Sequence, residues 1–389
     1  MKKLKVLRII NRFNLGGPTY NATLLTRYMS DDFETLLIGG VHDEGEADSL
    51  HILKENNVNA IVIPELKRDP NFFSDRKAYF KIKQIIKEFQ PDIVHTHASK
   101  AGLIGRYAAY KCGVKSIIHT YHGHVFHSYF GKIKTHLIIM VERFLANKST
   151  GIVAISESQK EELAFKYKIC NSDKIKVIHL GFDLSKFLTN STKYRKEVRD
   201  QFRIKEDEVA IAIIGRLAPI KNHVFFLNII EELLKKELKK IKVFIVGNGS
   251  EYSRIHEKVK QINLKYGEII SLTSWILDIS KFNCGMDIIC LTSDNEGTPV
   301  SLIEGQASGL PVISTKIGGV SDIVKENESG FLIEKEDLET YAEKLRLLVV
   351  DKSLREKFGS RGREMTRNNF HYSNLIIEMQ HYYLSLSKY

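Results

Sequence analysis

Residues 288–314 read IICLTSDNEGTPVSLIEGQASGLPVIS. The run 288–291 has the length and branching of a buried strand, a helix is expected to begin near Pro299, and 312–314 reads as the next strand. Strand, loop, helix and strand in that order form a β-α-β unit, the building block of a parallel sheet. Ligands of open parallel sheets bind beyond the carboxyl ends of the strands, so the loop that follows 288–291 is where chemistry is expected. Glu296 lies on that loop, and Glu304 falls about one turn into the helix. Between them, Gly297, Thr298, Pro299, Val300 and Ser301 bring backbone N–H groups to a helix N-terminus, a setting suited to an anion. Carboxylates accept hydrogen bonds from sugar hydroxyls. A phosphate site flanked by two of them fits a nucleotide sugar better than a bare nucleotide.

The same alternation of short β-branched runs with helical periodicity extends over most of the 389 residues. Strands are expected at 5–10, 34–38, 60–63, 93–95, 116–120, 151–155 and 176–179. The pattern lapses over the charged stretch 183–199 and resumes at 209–214, 242–246, 269–272, 288–291 and 312–314. The fold class is therefore α/β, with two doubly wound domains at 1–190 and 200–372, a division that also suits a chain too long for one core. Residues 373–389 form a C-terminal helix, with Leu375, Ile376, Met379 and Tyr383 at helical spacing, expected to pack toward the first domain.

Composition narrows the function classes. With 43% hydrophobic and 27% charged residues the chain is globular. Lys5 and Arg8 interrupt the apolar start too early for a signal peptide, and 136–141 is too short to span a bilayer. Cys112, Cys170, Cys284 and Cys290 show no metal or disulfide spacing, so they read as small apolar residues in a reducing cytoplasm. Residues 1–190 carry 28 Lys+Arg and 19 Asp+Glu (28 − 19 = +9), and residues 191–389 carry 30 and 28 (30 − 28 = +2). A basic first half suits an anionic acceptor or anionic lipid at the inner face of the membrane. It lacks the interleaved aromatic and basic residues of an RNA-binding motif, so nucleic acid is not expected. Residues 74–89 and 130–148 mix basic and apolar residues; both read first as surface helices covering a sheet rather than as membrane anchors.

Four further strand-end loops carry candidates. After 5–10, Gly16 and Gly17 precede a helix and open the backbone to a phosphate, although a tight turn explains them equally well. After 116–120 comes His122-Gly123-His124. Imidazoles without a carboxylate or thiolate make a poor metal site, so His122 is expected to hydrogen-bond substrate, while His95 and His97 read as solvated strand-end residues or as lining of the same site. After 209–214, Arg216 and Lys221 supply a planar fork and a point charge for a diphosphate. No D-x-D triplet occurs, so no metal and no cofactor is expected. Gly247 and Gly249 invite a dinucleotide reading, but Tyr252 stands where that fingerprint needs glycine; a tight turn suffices.

Together, Gly16-Gly17, His122-Gly123, Arg216 with Lys221, and Glu296 with Glu304 resemble the retaining GT-B glycosyltransferases of family 4. GRLAPIKN, NEGTPVSLIEGQASGLPVISTKIGGV and HTHASKAGLIGRYAA are similar to bacterial enzymes that build capsular and extracellular polysaccharides. The resemblance implies two Rossmann-like domains facing a deep cleft and transfer of a sugar from a nucleotide diphosphate donor, UDP by family habit, without a metal. It assigns Arg216, Lys221 and Gly17 to the diphosphate, Glu296 to the donor sugar, Glu304 to the ribose and His122 to the transferred sugar. The leaving phosphate would help deprotonate the acceptor, expected to be a lipid-linked glycan. A GT-B epimerase and a noncatalytic nucleotide-sugar-binding protein are the alternatives. Two positions depart from the family pattern: Ser274 replaces the glycine of an F-x-G turn, and Leu180-Gly181-Phe182-Asp183 replaces N-G-V-D.

Overall fold

A computed structural model describes residues 3–14, 17–41, 50–67, 69–123, 131–188, 192–238 and 240–387. They divide into two compact units, Met1–Phe182 with Tyr372–Tyr389, and Asp183–His371. In the first unit, β1 (Leu4–Arg12), β2 (Phe33–Gly40), β3 (Ala60–Val62), β4 (Ile93–His97), β5 (Ser116–Tyr121), β6 (Gly151–Ala154) and β7 (Ile175–Val177) form one sheet in the order β3-β2-β1-β4-β5-β6-β7. In the second, β8 (Val209–Ile214), β9 (Ile241–Val246), β10 (Ile270–Thr273), β11 (Ile288–Leu291), β12 (Val312–Thr315) and β13 (Gly330–Ile333) are ordered β10-β9-β8-β11-β12-β13. All the strand pairings are parallel.

Every strand expected from sequence is present, with ends displaced by no more than about two residues. The sequence reading missed β13, four residues that follow a turn and are too short to display a period. Helices cover both faces of a parallel sheet, so its central strands are buried throughout; β4 and β5 expose no residue. Strand order reverses between β1 and β4 and again between β8 and β11. At such a reversal the flanking connections diverge to opposite faces and leave a crevice at the carboxyl ends.

The C-terminal helix, Tyr372–Ser387, packs on the first unit as expected. Leu375, Ile376, Met379 and Tyr383 are buried among Val6, Ile93, Ile118 and Val153. The Tyr372 amide donates to Phe182 O at 3.1 Å, and a Cβ on Gly181 would stand 2.6 Å from Tyr372 Cα. Glycine at 181 thus admits the start of this helix. The helix Phe72–Phe89 begins at Asn71, whose side chain accepts from the Ser74 amide, and buries Ala78, Ile82 and Ile86, as its periodicity predicted. Among the cysteines, Cys284 and Cys290 are buried while Cys112 and Cys170 are partly exposed.

Candidate functional site

In the second unit, β8 and β11 flank the reversal point, and the loops that follow them are tied together. Beyond β8, the turn Pro219–Lys221 leads to Asn222, which adopts a left-handed conformation at φ 48° and caps the helix His223–Lys235 through the Phe225 amide. Thr292, one residue past β11, donates its hydroxyl to the carbonyls of Lys221 and Asn222, at 3.2 and 3.1 Å. The Asp294 amide donates to Ile220 O at 2.7 Å. These bonds fix the backbone that carries Lys221.

The Lys221 ammonium lies 2.5 Å from Glu296 Oε1, which also accepts from the Ser293 hydroxyl at 2.6 Å. The backbone of Glu296 is held as well: its carbonyl accepts from the Gly319 amide at 3.1 Å, and a Cβ at Gly318, where φ is +44°, would stand 2.0 Å from that oxygen. Glu296 is therefore a carboxylate oriented on both sides before any ligand arrives. The helix begins at Val300, next to the Pro299 anticipated from sequence, and carries Glu304 in its second turn. Among the described residues, the amides of Gly297, Thr298, Val300 and Ser301 have no hydrogen-bond partner. They form a row of open donors at the positive end of a helix.

Two charged groups here lack a partner. Arg216 follows β8 in an exposed position, and among the described residues its guanidinium has no ion pair. Glu304 keeps some exposed surface, yet desolvation, with no cation to offset it, pushes its carboxyl up to about 7. The structure thus brings Lys221 and Glu296 into contact, sets Arg216 on the turn leading to Lys221, and holds Glu304 one turn beyond the open amides. Gly247 and Gly249 meet these turns directly: a Cβ on Gly247 would lie 2.0 Å from Gly215 O, and one on Gly249 would lie 2.3 Å from Leu217 O. Close approach of the β8 and β9 turns requires these glycines, beyond the tight turn that sequence suggested.

In the first unit, Gly17 opens the helix Gly17–Arg27 directly beyond β1. Its virtual Cβ meets only Leu180 Cδ1, at 3.8 Å, so packing does not demand glycine there. Gly16 and His124 lie outside the described residues. His122 is half-buried beyond β5, its Nε2 2.9 Å from Nδ1 of His97. Burial lowers its pKa to about 3, so it is a neutral imidazole at neutral pH. The reading of His95 and His97 as solvated strand-end residues is overturned. Both side chains are fully buried, as is His119, because β4 and β5 are central strands covered on both faces. His95 bonds Tyr383 at 2.5 Å and Thr120 at 2.7 Å, and its ring packs against that of His97 at a 33° tilt with centroids 4.2 Å apart. The histidine-rich sequence is a buried column that reaches His122 at its end. Among the described residues, no cluster of three or more His, Cys, Asp and Glu is arranged to hold a metal.

Comparison with known proteins places the chain in a family. The model for glycosyl transferases group 1 matches residues 194–365, and that for Glycosyltransferase Family 4 matches residues 16–186. The UDP-Gal:alpha-D-GlcNAc-diphosphoundecaprenol alpha-1,3-galactosyltransferase of Escherichia coli is 30% identical over 301 residues, 77% of each chain. The chain belongs to the family 4, group 1 glycosyltransferases. A second relative, the capsular polysaccharide biosynthesis glycosyltransferase CapM of Staphylococcus aureus, is 28% identical over 88% of this glycosyltransferase and 89% of its own length. Anabaena HepE, solved in complex with UDP, superimposes with a TM-score of 0.82 at 18% identity, covering 98% of this chain and 100% of its own. That likeness shows the GT-B fold.

Sequence reasoning missed several residues that position this glycosyltransferase's side chains. Ser293 orients Glu296, Thr292 fixes the Lys221 backbone, Gly318 lets the β12 loop close on Glu296, and His97 holds His122. Thr292 and Ser293 stand beside the quoted loop, so the local signal was available. The roles of Gly318 and His97 depend on neighbours at least 22 residues away in sequence.

Proposed function

We propose that this glycosyltransferase moves a sugar from a UDP-sugar, with retention of configuration, to a lipid-linked glycan during polysaccharide assembly. The observation that carries the donor assignment is the ordered Lys221–Glu296–Ser293 cluster beside four unpartnered amides at a helix start. Its elements match the parts of a nucleotide sugar. Arg216, Lys221 and the open amides bind the diphosphate and stabilise its charge as the glycosidic bond breaks. Glu296, already aimed by Ser293, accepts from hydroxyls of the donor sugar, and Glu304 accepts from the ribose. In the first unit, Gly16 and Gly17 serve the phosphates, and neutral His122 hydrogen-bonds the transferred sugar. UDP and the lipid-linked acceptor are supported by the E. coli relative, whose name specifies both a UDP-sugar and a diphosphoundecaprenol.

The test is a screen of UDP-galactose, UDP-glucose, UDP-N-acetylglucosamine and GDP-mannose with membrane extract as acceptor source. UDP release that depends on the extract, with an axial anomeric linkage in the product by NMR, is the expected result. Release restricted to the GDP-sugar, an equatorial linkage, or donor epimerised without acceptor would each overturn the assignment.

A further inference from the structure

The first unit buries two arginines completely, Arg8 on β1 and Arg106 on the helix Ser99–Lys111. Arg106 has a countercharge: its Nη2 donates to Glu142 at 2.5 Å. Arg8 has none among the described residues. Its Nη1 donates to Thr26 Oγ1 at 3.4 Å, its Nε and Nη2 have no partner, and the residue beside it is the neutral Tyr383, whose ring centroid lies 5.8 Å from the guanidinium carbon. An enclosed cation without a counterion costs stability, so packing does not account for it.

The register of β1 and β4 sets Arg8 opposite His95, and His97, two residues on, shares that face. The sheet order β1-β4-β5 then places His97 between Arg8 on one flank and His122, which follows β5, on the other. His97 spends Nδ1 on His122 Nε2, and its Nε2 has no partner. Burial holds His95 and His97 uncharged, and the Arg8 charge acts in the same direction. Each of the two bonded imidazoles, His97 and His122, therefore carries a single proton, and only two arrangements are open.

In one, His97 is protonated on Nε2, an N–H enclosed without an acceptor on the side of a fixed cation. In the other, His97 donates from Nδ1, and the bare lone pair left on Nε2 is stabilised by that cation. The second arrangement puts the proton of His122 on Nδ1. That atom is itself buried without a partner, but His122 is half-buried where His97 is fully enclosed, so an incoming oxygen can reach its ring. We propose that Arg8 is a positioning residue for the transfer: acting through His97, its charge fixes His122 in the Nδ1–H form, so that the imidazole donates to an oxygen of the transferred sugar and does not serve as a base through that atom. The proposal rests on the reading of His122 as a sugar contact.

Histidine-selective 15N labelling of the full chain, without donor, reads the tautomer by long-range proton–nitrogen correlation, with His122 assigned from the signals missing in His122→Asn. Wild-type His122 should be protonated on Nδ1. Arg8→Met, which keeps the volume and removes the charge, should lower the ratio of Nδ1–H to Nε2–H about fivefold while Tm holds or rises. His97→Ala should lower kcat about 10²-fold with the Kd for UDP unchanged by calorimetry. His97→Asn, whose amide nitrogen can stand in for Nδ1, should restore most of the turnover, followed as nucleotide release from the same four donors and extract. An Nε2–H form in the wild type, a ratio that Arg8→Met leaves unaltered, or full turnover in His97→Ala would overturn the proposal and leave the sugar contact standing. Full turnover in His122→Asn would remove the sugar contact itself, and the proposal with it.

Discussion

Replacing Glu304 by Gln should make the protein more stable and a worse enzyme. Burial without a counter-cation raises the carboxyl from its ordinary 4.5 to about 7. Between those values the folded protein keeps a proton that the unfolded chain has released, so stability falls as pH rises through this window and levels off above it. The difference between 4.5 and about 7 corresponds to roughly 3 kcal/mol, which the remaining exposure of the side chain trims to about 1–3 kcal/mol. Glutamine does not ionise. Its advantage should be absent near pH 4.5 and complete by pH 8, read as the difference in free energy of unfolding of the second unit from urea titrations at the two pH values. Ribose hydroxyls that donate to the ionised carboxylate favour its deprotonation, so wild-type donor affinity should weaken as pH drops below about 7. The Gln variant should lose both this dependence and much of the affinity by calorimetry. Equal stability profiles for the two proteins would refute the desolvation account; an unaltered donor Kd would refute the binding role.

Arg216→Ala removes an exposed guanidinium without a partner among the described residues, so Tm should stay constant while kcat/KM falls about 10²–10³-fold. Constant turnover would take Arg216 out of the site. A double-mutant cycle of Lys221→Ala with Glu296→Gln should give a coupling of about 1–3 kcal/mol in stability, because each single change leaves the other member of a 2.5 Å pair exposed to less water than it needs; additivity within ~0.3 kcal/mol would contradict the ordered pair. Gly318→Ala pushes a methyl toward Glu296 O and should depress both Tm and kcat, whereas wild-type values would show that the β12 loop relaxes freely.

The sequence by itself determined the two parallel sheets and the loops that hold the candidate site residues. Strand and helix periods are local, and glycine, proline and carboxylate positions around 295–304 are read within one β-α-β unit. The start of the helix after Pro299 and the place of Glu304 in its second turn followed from the same local reading. The tertiary structure decided what those residues meet. Lys221 and Glu296 are 75 residues apart, and only the neighbouring of β8 and β11 brings them into contact. His95 and His97 have the composition of a polar strand end, but a central strand covered on both faces buries them, and Tyr383 from 288 residues away completes the bonding of His95. The helix 132–148 covers the sheet as its mixed basic and apolar sequence suggested, burying Leu145 and Ala146, but the pairing of its buried Glu142 with Arg106, 36 residues away, is a tertiary fact. Local pattern sets which element forms and how it is amphipathic; pairings between distant residues, such as Glu142 with Arg106, settle what its buried groups meet.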